Sequence, residues 1–217
     1  MSTDNRLIGI FGGTFDPIHR AHLNVAATLK KRFNMKELRL IPSYIPPHRS
    51  TTATAQDRLK MIQLALMDYP ELTVDDREIQ RAGLSYAVDT LTSIRTEIGA
   101  QEPLCFILGA DAFSNFNQWK NWKQILKLCH LIVVNRPGFL LPNAAWLHEL
   151  LEEKKAKDPE QLVNNAAGYI YLEQLPPSPI SATQVRAKHF DSSETSEIPV
   201  RIRDYIKKHK LYSHHAD

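Results

Sequence analysis

The sequence predicts an α/β fold, an open parallel sheet wound with helices on both of its faces. Three observations predict it. Short apolar runs recur along the chain, and several are apolar at every position, as strands covered on both sides must be. Segments with apolar residues at i, i+3, i+4 and i+7 alternate with them, the spacing of a helix that buries one stripe. Prolines cluster in the connections, because proline fixes φ and disfavours helix in the residue before it. Strand–helix alternation with right-handed crossovers gives a single Rossmann-like, doubly wound parallel sheet, to which a helical segment is added at the carboxyl end.

The elements follow in order. LIGIF (7–11) is the first strand and HLNVAATLKKRF (22–33) the helix after it. ELRLIP (37–42) is the second strand, QDRLKMIQLALMD (56–68) a helix, and LTVDD (72–76) a weaker strand. YAVDTLTSIRTEI (86–98) is again helical, and LCFILG (104–109) and HLIVVN (130–135) are strands. The polar, helix-like stretch 142–165 lies over one edge as a peripheral helix, and GYIYLE (168–173) is a sixth strand. PSYIPPHRSTT (42–52), RPGFLLP (136–142) and LPPSPI (175–180) are loops. SATQVRAKHF and IPVRIRDYIKKHKLY, within 179–217, form the carboxyl-terminal helical segment of one domain spanning 1–217.

Composition excludes several function classes. The 217 residues carry 27 basic and 24 acidic side chains, a net charge of +3, too mild an excess for a nucleic-acid binder but compatible with a local basic pocket for phosphates. Cys105 and Cys129 sit in apolar segments as buried free thiols, without a disulfide framework, which fits a reducing compartment. The start MSTDNR has no apolar signal core, and no apolar run approaches the ~20 residues of a membrane span. A soluble, cytoplasmic protein is expected, with its oligomeric state open.

In such a sheet ligands bind outside the carboxyl ends of the strands, so segments that follow strands carry the functional weight. GGTFDPIHRAH (12–22) follows the first strand. Gly12 and Gly13 let the backbone adopt φ > 0 and approach a polyanion. The helix that starts near Arg20 offers N–H groups and a positive dipole end to phosphate. His19 and His22 are i, i+3 neighbours, ~5–6 Å apart at Cβ, on its exposed first turn. Taken singly, the glycines also fit a plain tight turn, and the histidines a metal pair or a solvated helix start. A metal would need a third ligand at a suitable spacing, and none stands there.

PISATQVR (179–186) opens a late helix. Ser181 and Thr183 suit N-caps, and Arg186 suits fork-like donation to phosphate oxygens. Gly109 and Asp111 follow the fourth strand in FILGADAF, where Asp111 also fits a helix cap. Trp119 lies among polar neighbours and fits either a ligand-facing or a core site, whereas Trp122 begins a helix and is expected in the core.

Together these segments resemble the bacterial nicotinate-nucleotide adenylyltransferases of the HxGH nucleotidyltransferase superfamily, along nearly the whole chain. GGTFDPIHRAH is similar to their GGTFDPIHxGH signature, PISATQVR to ISSTxxR, IPSYIPPHR (41–49) to IPxxxPPHK/R, and SYAVDTL (85–91) to S-Y-T-x-x-T-L. Ala21, Ala87 and Ala182 depart from the family's usual glycine, threonine and serine. The resemblance implies that His19, His22 and Arg186 are catalytic. ATP would lie on Gly12, Gly13, Thr14 and Phe15, on Gly109 and Asp111, and on Arg136, Ser181 and Thr183. Nicotinate mononucleotide would lie on Ser43, His48 and Arg49, on Tyr86 and Ala87, and on Trp119, whose indole stacks on the pyridine ring. ATP is then a co-substrate, Mg²⁺ arrives on its phosphates, and no protein metal site is implied. An enzyme acting on nicotinamide mononucleotide, or another adenylyltransferase of the superfamily, is the nearest alternative; a nucleotide-sensing module without turnover is the alternative of a different class.

Overall fold

The apolar runs assemble into one six-stranded sheet in the computed structural model, which describes residues 6–135, 139–175 and 197–212. The strands are β1 (Ile8–Gly13), β2 (Glu37–Pro42), β3 (Thr73–Val74), β4 (Leu104–Gly109), β5 (His130–Asn135) and β6 (Ile170–Gln174). Their order is β3-β2-β1-β4-β5-β6 and every neighbouring pair is parallel. The chain moves outward from β1 to β3 on one side and returns to lay β4 against β1 on the other. The doubly wound, Rossmann-like sheet is therefore present, with its reversal of direction between β1 and β4.

Side chains alternate across each strand, so the sheet feeds two cores. Leu38, Leu40, Cys105, Ile107 and Ile132 face one, with Leu23, Ala26 and Leu29 of α1 (Arg20–Arg32) and Met61, Ile62 and Ala65 of α2 (Ala55–Leu66). Ile8, Ile10, Phe106, Leu108 and Leu131 face the other, with Val88, Leu91 and Ile94 of α4 (Ala87–Ile98). The spacing of the buried helix residues is the stripe on which the helices were expected. Lys30, Lys31 and Arg32 in the last turn of α1 complement the negative end of its dipole.

Differences from expectation are local. The strand expected over 72–76 shrinks to two residues at the sheet edge, and the sixth begins at Ile170 because Gly168 is left-handed at φ 105. Two short helices had too few turns to show a period, α3 (Arg77–Arg81) and α5 (Ala110–Phe113), whereas α6 (Trp122–Leu128) begins at Trp122 as expected. The stretch 142–165 is two helices, α7 (Ala145–Lys154) and α8 (Glu160–Val163). It is not merely peripheral, since Leu147 and Leu150 are buried in the second core and Leu162 in the first. The carboxyl-terminal α9 (Val200–Lys208) buries Ile202 and Ile206, and its Tyr205 hydroxyl donates to Asp57 of α2 at 2.9 Å. Among the described residues no helix is long and apolar enough to cross a membrane.

Candidate active site

The first motif leaves β1 at Gly13 and enters α1 at Arg20, at the carboxyl end of the sheet beside the β1–β4 reversal. His19 is the N-cap residue of α1 and His22 lies in its first turn. Their rings stack with centroids 3.8 Å apart and planes at 25°. Phe15 meets His22 edge-on at 5.2 Å, and Phe11 does so at 6.2 Å. His19 is 2% exposed and His22 half-buried, so the pair is enclosed rather than displayed on a solvated helix start. Ala21, where the family carries glycine, is buried between them in sequence. The first helix amide is not open to a ligand: Arg20 N–H donates to the Glu197 carbonyl at 2.9 Å.

One expectation for this turn is corrected. Neither Gly12 nor Gly13 is left-handed; Phe15 is, at φ 48. The glycines are needed for space instead. A Cβ on Gly12 would stand 2.9 Å from the Phe106 ring, and one on Gly13 2.9 Å from the Phe15 ring. Aromatic rings pressed against the backbone, Phe106 from β4 and Phe15 from the turn itself, not a conformational demand, exclude side chains there.

Asp16 and Arg58 hold this turn to the loop after β2. The Asp16 carboxylate accepts from Thr52 N–H at 2.7 Å, Ala53 N–H at 3.2 Å and the Tyr212 hydroxyl at 2.6 Å. Arg58 donates to the carbonyls of Thr14 at 2.7 Å, Tyr44 at 3.0 Å and Ala53 at 3.4 Å. Burial pulls its guanidinium below the ordinary value, and the negative charge of Asp16 works against that shift. Sequence reasoning missed Arg58 as a site-building residue, although a signal was present: 58, 61, 62 and 65 form the i, i+3, i+4, i+7 stripe of α2, so an arginine occupies a core position.

Several of the other expected residues are tied to this turn or to one another by contacts. Ser43 donates from N–H and from Oγ to the Gly13 carbonyl, at 3.0 and 3.3 Å. Tyr44 N–H donates to Ser85 Oγ at 2.8 Å, bringing the loop against Tyr86 and Ala87 at the start of α4. Lys120 stands 4.4 Å from the Tyr86 ring centroid and pairs with Asp89 at 3.1 Å. Trp119 packs edge-on against Phe106 at 6.1 Å and Phe116 at 5.6 Å, which closes the ring back to Gly12. His48 and Arg49 are exposed, and Arg49 reaches Asp111 at 3.7 Å with both side chains about two-thirds exposed, 68% and 65%. Such a pair is worth only ~0–1 kcal/mol, little resistance to a ligand that separates it. At Gly109 a Cβ would stand 2.5 Å from Asp111 Oδ1, the end of an exposed side chain that would have to turn aside.

Trp122 differs from expectation. It is half-buried, like Trp119, and packs against Phe116 at 5.7 Å and Trp146 at 6.2 Å instead of entering the core. The two tryptophans thus belong to one aromatic layer over Phe116. Arg136, Ser181, Thr183 and Arg186 lie outside the described residues. Among the described residues no group of three or more His, Cys, Asp or Glu could hold a metal ion.

Residues 10–188 match the model of the cytidylyltransferase-like family. The chain is 43% identical over 213 residues to a Coxiella burnetii protein named "probable nicotinate-nucleotide adenylyltransferase", covering 95% of this chain and 98% of that one. It is 38% identical over 214 residues to a Yersinia pestis protein of the same name, covering 97% of each. Among solved structures it is similar to Plasmodium falciparum nicotinic acid mononucleotide adenylyltransferase complexed with NaAD, at TM-score 0.72 and 21% identity over 95% of this chain and 97% of that one.

Proposed function

Because the chain belongs to the cytidylyltransferase-like family, and within it to the nicotinate-nucleotide adenylyltransferases, we propose that the crevice at the β1–β4 reversal transfers AMP from ATP to nicotinate mononucleotide. The products are nicotinate adenine dinucleotide (deamido-NAD) and pyrophosphate. The observation that carries this reading is the stacked His19–His22 pair at the start of α1, set where the strand order turns. Residues 1–217 act as one nucleotidyltransferase domain, in the cytoplasm.

An oxygen of the mononucleotide phosphate attacks the α-phosphorus of ATP in line. The new P–O bond forms as the bond from the α-phosphorus to the α–β bridging oxygen breaks, and pyrophosphate carries away that electron pair. No covalent enzyme intermediate is required, so catalysis is positioning and charge stabilisation. His19 and His22 donate to the α- and β-phosphate oxygens, Arg186 neutralises the leaving pyrophosphate, and helix amides beyond Arg20 add donors. ATP enters as its Mg²⁺ complex, the ion riding on phosphate oxygens and water. Asp16, the one acid of the first motif, is committed to Thr52, Ala53 and Tyr212 and serves the turn. Gly109 and Asp111 flank the ribose of ATP, with Gly12, Gly13, Thr14 and Phe15 under its phosphates and Ser181, Thr183 and Arg136 completing that side. Ser43, His48 and Arg49 take the mononucleotide phosphate; Tyr86, Ala87 and Trp119 take the nicotinate ring.

The test is pyrophosphate release from ATP with each mononucleotide in turn, with the dinucleotide identified by mass. Nicotinate mononucleotide is expected to exceed the amide in kcat/KM by about tenfold or more, ~1.4 kcal/mol of transition-state discrimination. Preference for the amide overturns the choice of substrate, and no turnover with either overturns the reading.

A further inference from the structure

Arg58 is fully buried on the apolar stripe of α2, where an aliphatic side chain would avoid desolvating a cation. Its three hydrogen bonds go to carbonyl oxygens of two segments, the first motif and the loop after β2, not to carboxylates. Truncating it would leave those carbonyls without their donor, a stability cost that any role of Arg58 shares. What the fork does supply is geometry. Nη1 holds Thr14 of the first motif and Nη2 holds Tyr44 of the loop after β2, from one rigid plane. The other backbone group of Tyr44 is held as well, its N–H by the buried Ser85 Oγ at 2.8 Å, while Ser85 N–H donates to the Ile45 carbonyl at 2.9 Å. The 43–49 loop is thus pinned on one side to the first motif and on the other to the start of α4.

Resting on the proposed function, we propose that Arg58 is a positioning residue for the mononucleotide: with Ser85 as the second pin, it sets how far the 43–49 loop stands from the first motif. In-line transfer depends on reacting atoms held within a few tenths of an ångström, so the distance between the two substrate sites is a catalytic quantity even where no substrate is touched. A lysine is a point donor and cannot hold Thr14 and Tyr44 together.

The test measures KM for each substrate, kcat and melting temperature in Arg58→Lys and Ser85→Ala. Arg58→Lys is expected to raise KM for nicotinate mononucleotide roughly tenfold and to lower kcat, with KM for ATP changed by less than about twofold. Ser85→Ala is expected to move KM for the mononucleotide in the same direction, by roughly threefold. A purely structural role predicts a lower melting temperature and a smaller active fraction with both KM values unchanged, and that result overturns the proposal. Should Arg58→Lys not fold, an unchanged KM in Ser85→Ala overturns it alone. Hydrogen exchange of the 43–49 amides separates the two readings: a wild type that makes no dinucleotide sinks the proposed function, whereas exchange no faster in Arg58→Lys or Ser85→Ala than in wild type sinks the positioning role.

Discussion

At the scale of single residues, the rings of His19 and His22 stack at the start of α1 with centroids 3.8 Å apart. His22→Ala is expected to cost about 10²–10³ in kcat, the loss on removing one preorganised donor, with a melting temperature near wild type because the ring is half-buried. His19→Ala is expected to lose a similar factor and to melt lower, since His19 is buried. Pyrophosphate release and a melting curve on each variant check this; wild-type rates in both would remove the histidines from the phosphate site. Trp119→Ala is expected to raise KM for the mononucleotide. Trp122→Ala is expected to leave KM unchanged and to cost less than the ~3–5 kcal/mol of a fully buried aromatic, because it is half-buried over Phe116 and Trp146. A mononucleotide titration on the two variants distinguishes the roles, and a raised KM in Trp122→Ala alone would reverse them.

At the scale of elements, the start of β5 carries a histidine locked in one tautomer. His130 Nδ1 accepts from Tyr169 N–H at 3.0 Å, so the Nε2 that meets the Asn165 carbonyl at 2.8 Å must be the protonated nitrogen. Burial holds the ring below the ordinary imidazole value of 6.5. The folded state then binds fewer protons than the unfolded chain, and stability rises with pH across the interval between the two values. The contribution is fully present above pH ~6.5 and is lost as pH falls from there toward the folded-state value. Melting temperature against pH for wild type and His130→Phe is expected to show a steeper acid decline in the wild type; parallel curves would refute it. The helices obey local rules more simply. Thr54 caps α2 by accepting from Asp57 N–H at 3.1 Å, and Thr54→Ala is expected to cost ~0.5–2 kcal/mol in a denaturant titration.

At the scale of the whole molecule, residues 197–212 meet the first motif. The Tyr212 hydroxyl reaches Asp16 across 196 residues, and the Glu197 carbonyl takes the Arg20 amide. Chain that follows PISATQVR in the sequence therefore docks on the first motif, at Asp16 and at the start of the histidine helix. Tyr212→Phe is expected to cost ~1.5–3 kcal/mol, the range for a hydrogen bond to a charged group, and to lower the melting temperature without changing which mononucleotide is used. An unchanged melting temperature would show that Asp16 is held sufficiently by Thr52 and Ala53.

The sheet, its helices and the positions of the motifs were legible in the sequence because each is local. An unbroken apolar run marks LCFILG and a period of 3.6 residues marks QDRLKMIQLALMD, each within its own span, and GGTFDPIHRAH is contiguous. Element bounds, such as the shortening of the strand expected over 72–76 to Thr73–Val74, and one-turn elements such as Ala110–Phe113 were not, since one turn or two residues carry no period. Only the tertiary structure decided why Gly12 and Gly13 are glycine, because the Phe106 and Phe15 rings that exclude a side chain come from packing. It alone put Trp122 beside Trp146 and Arg58 between Thr14 and Tyr44. A contact between residues tens of positions apart depends on how the strands are ordered and how loops lie across their ends, and neither leaves a local trace in the chain.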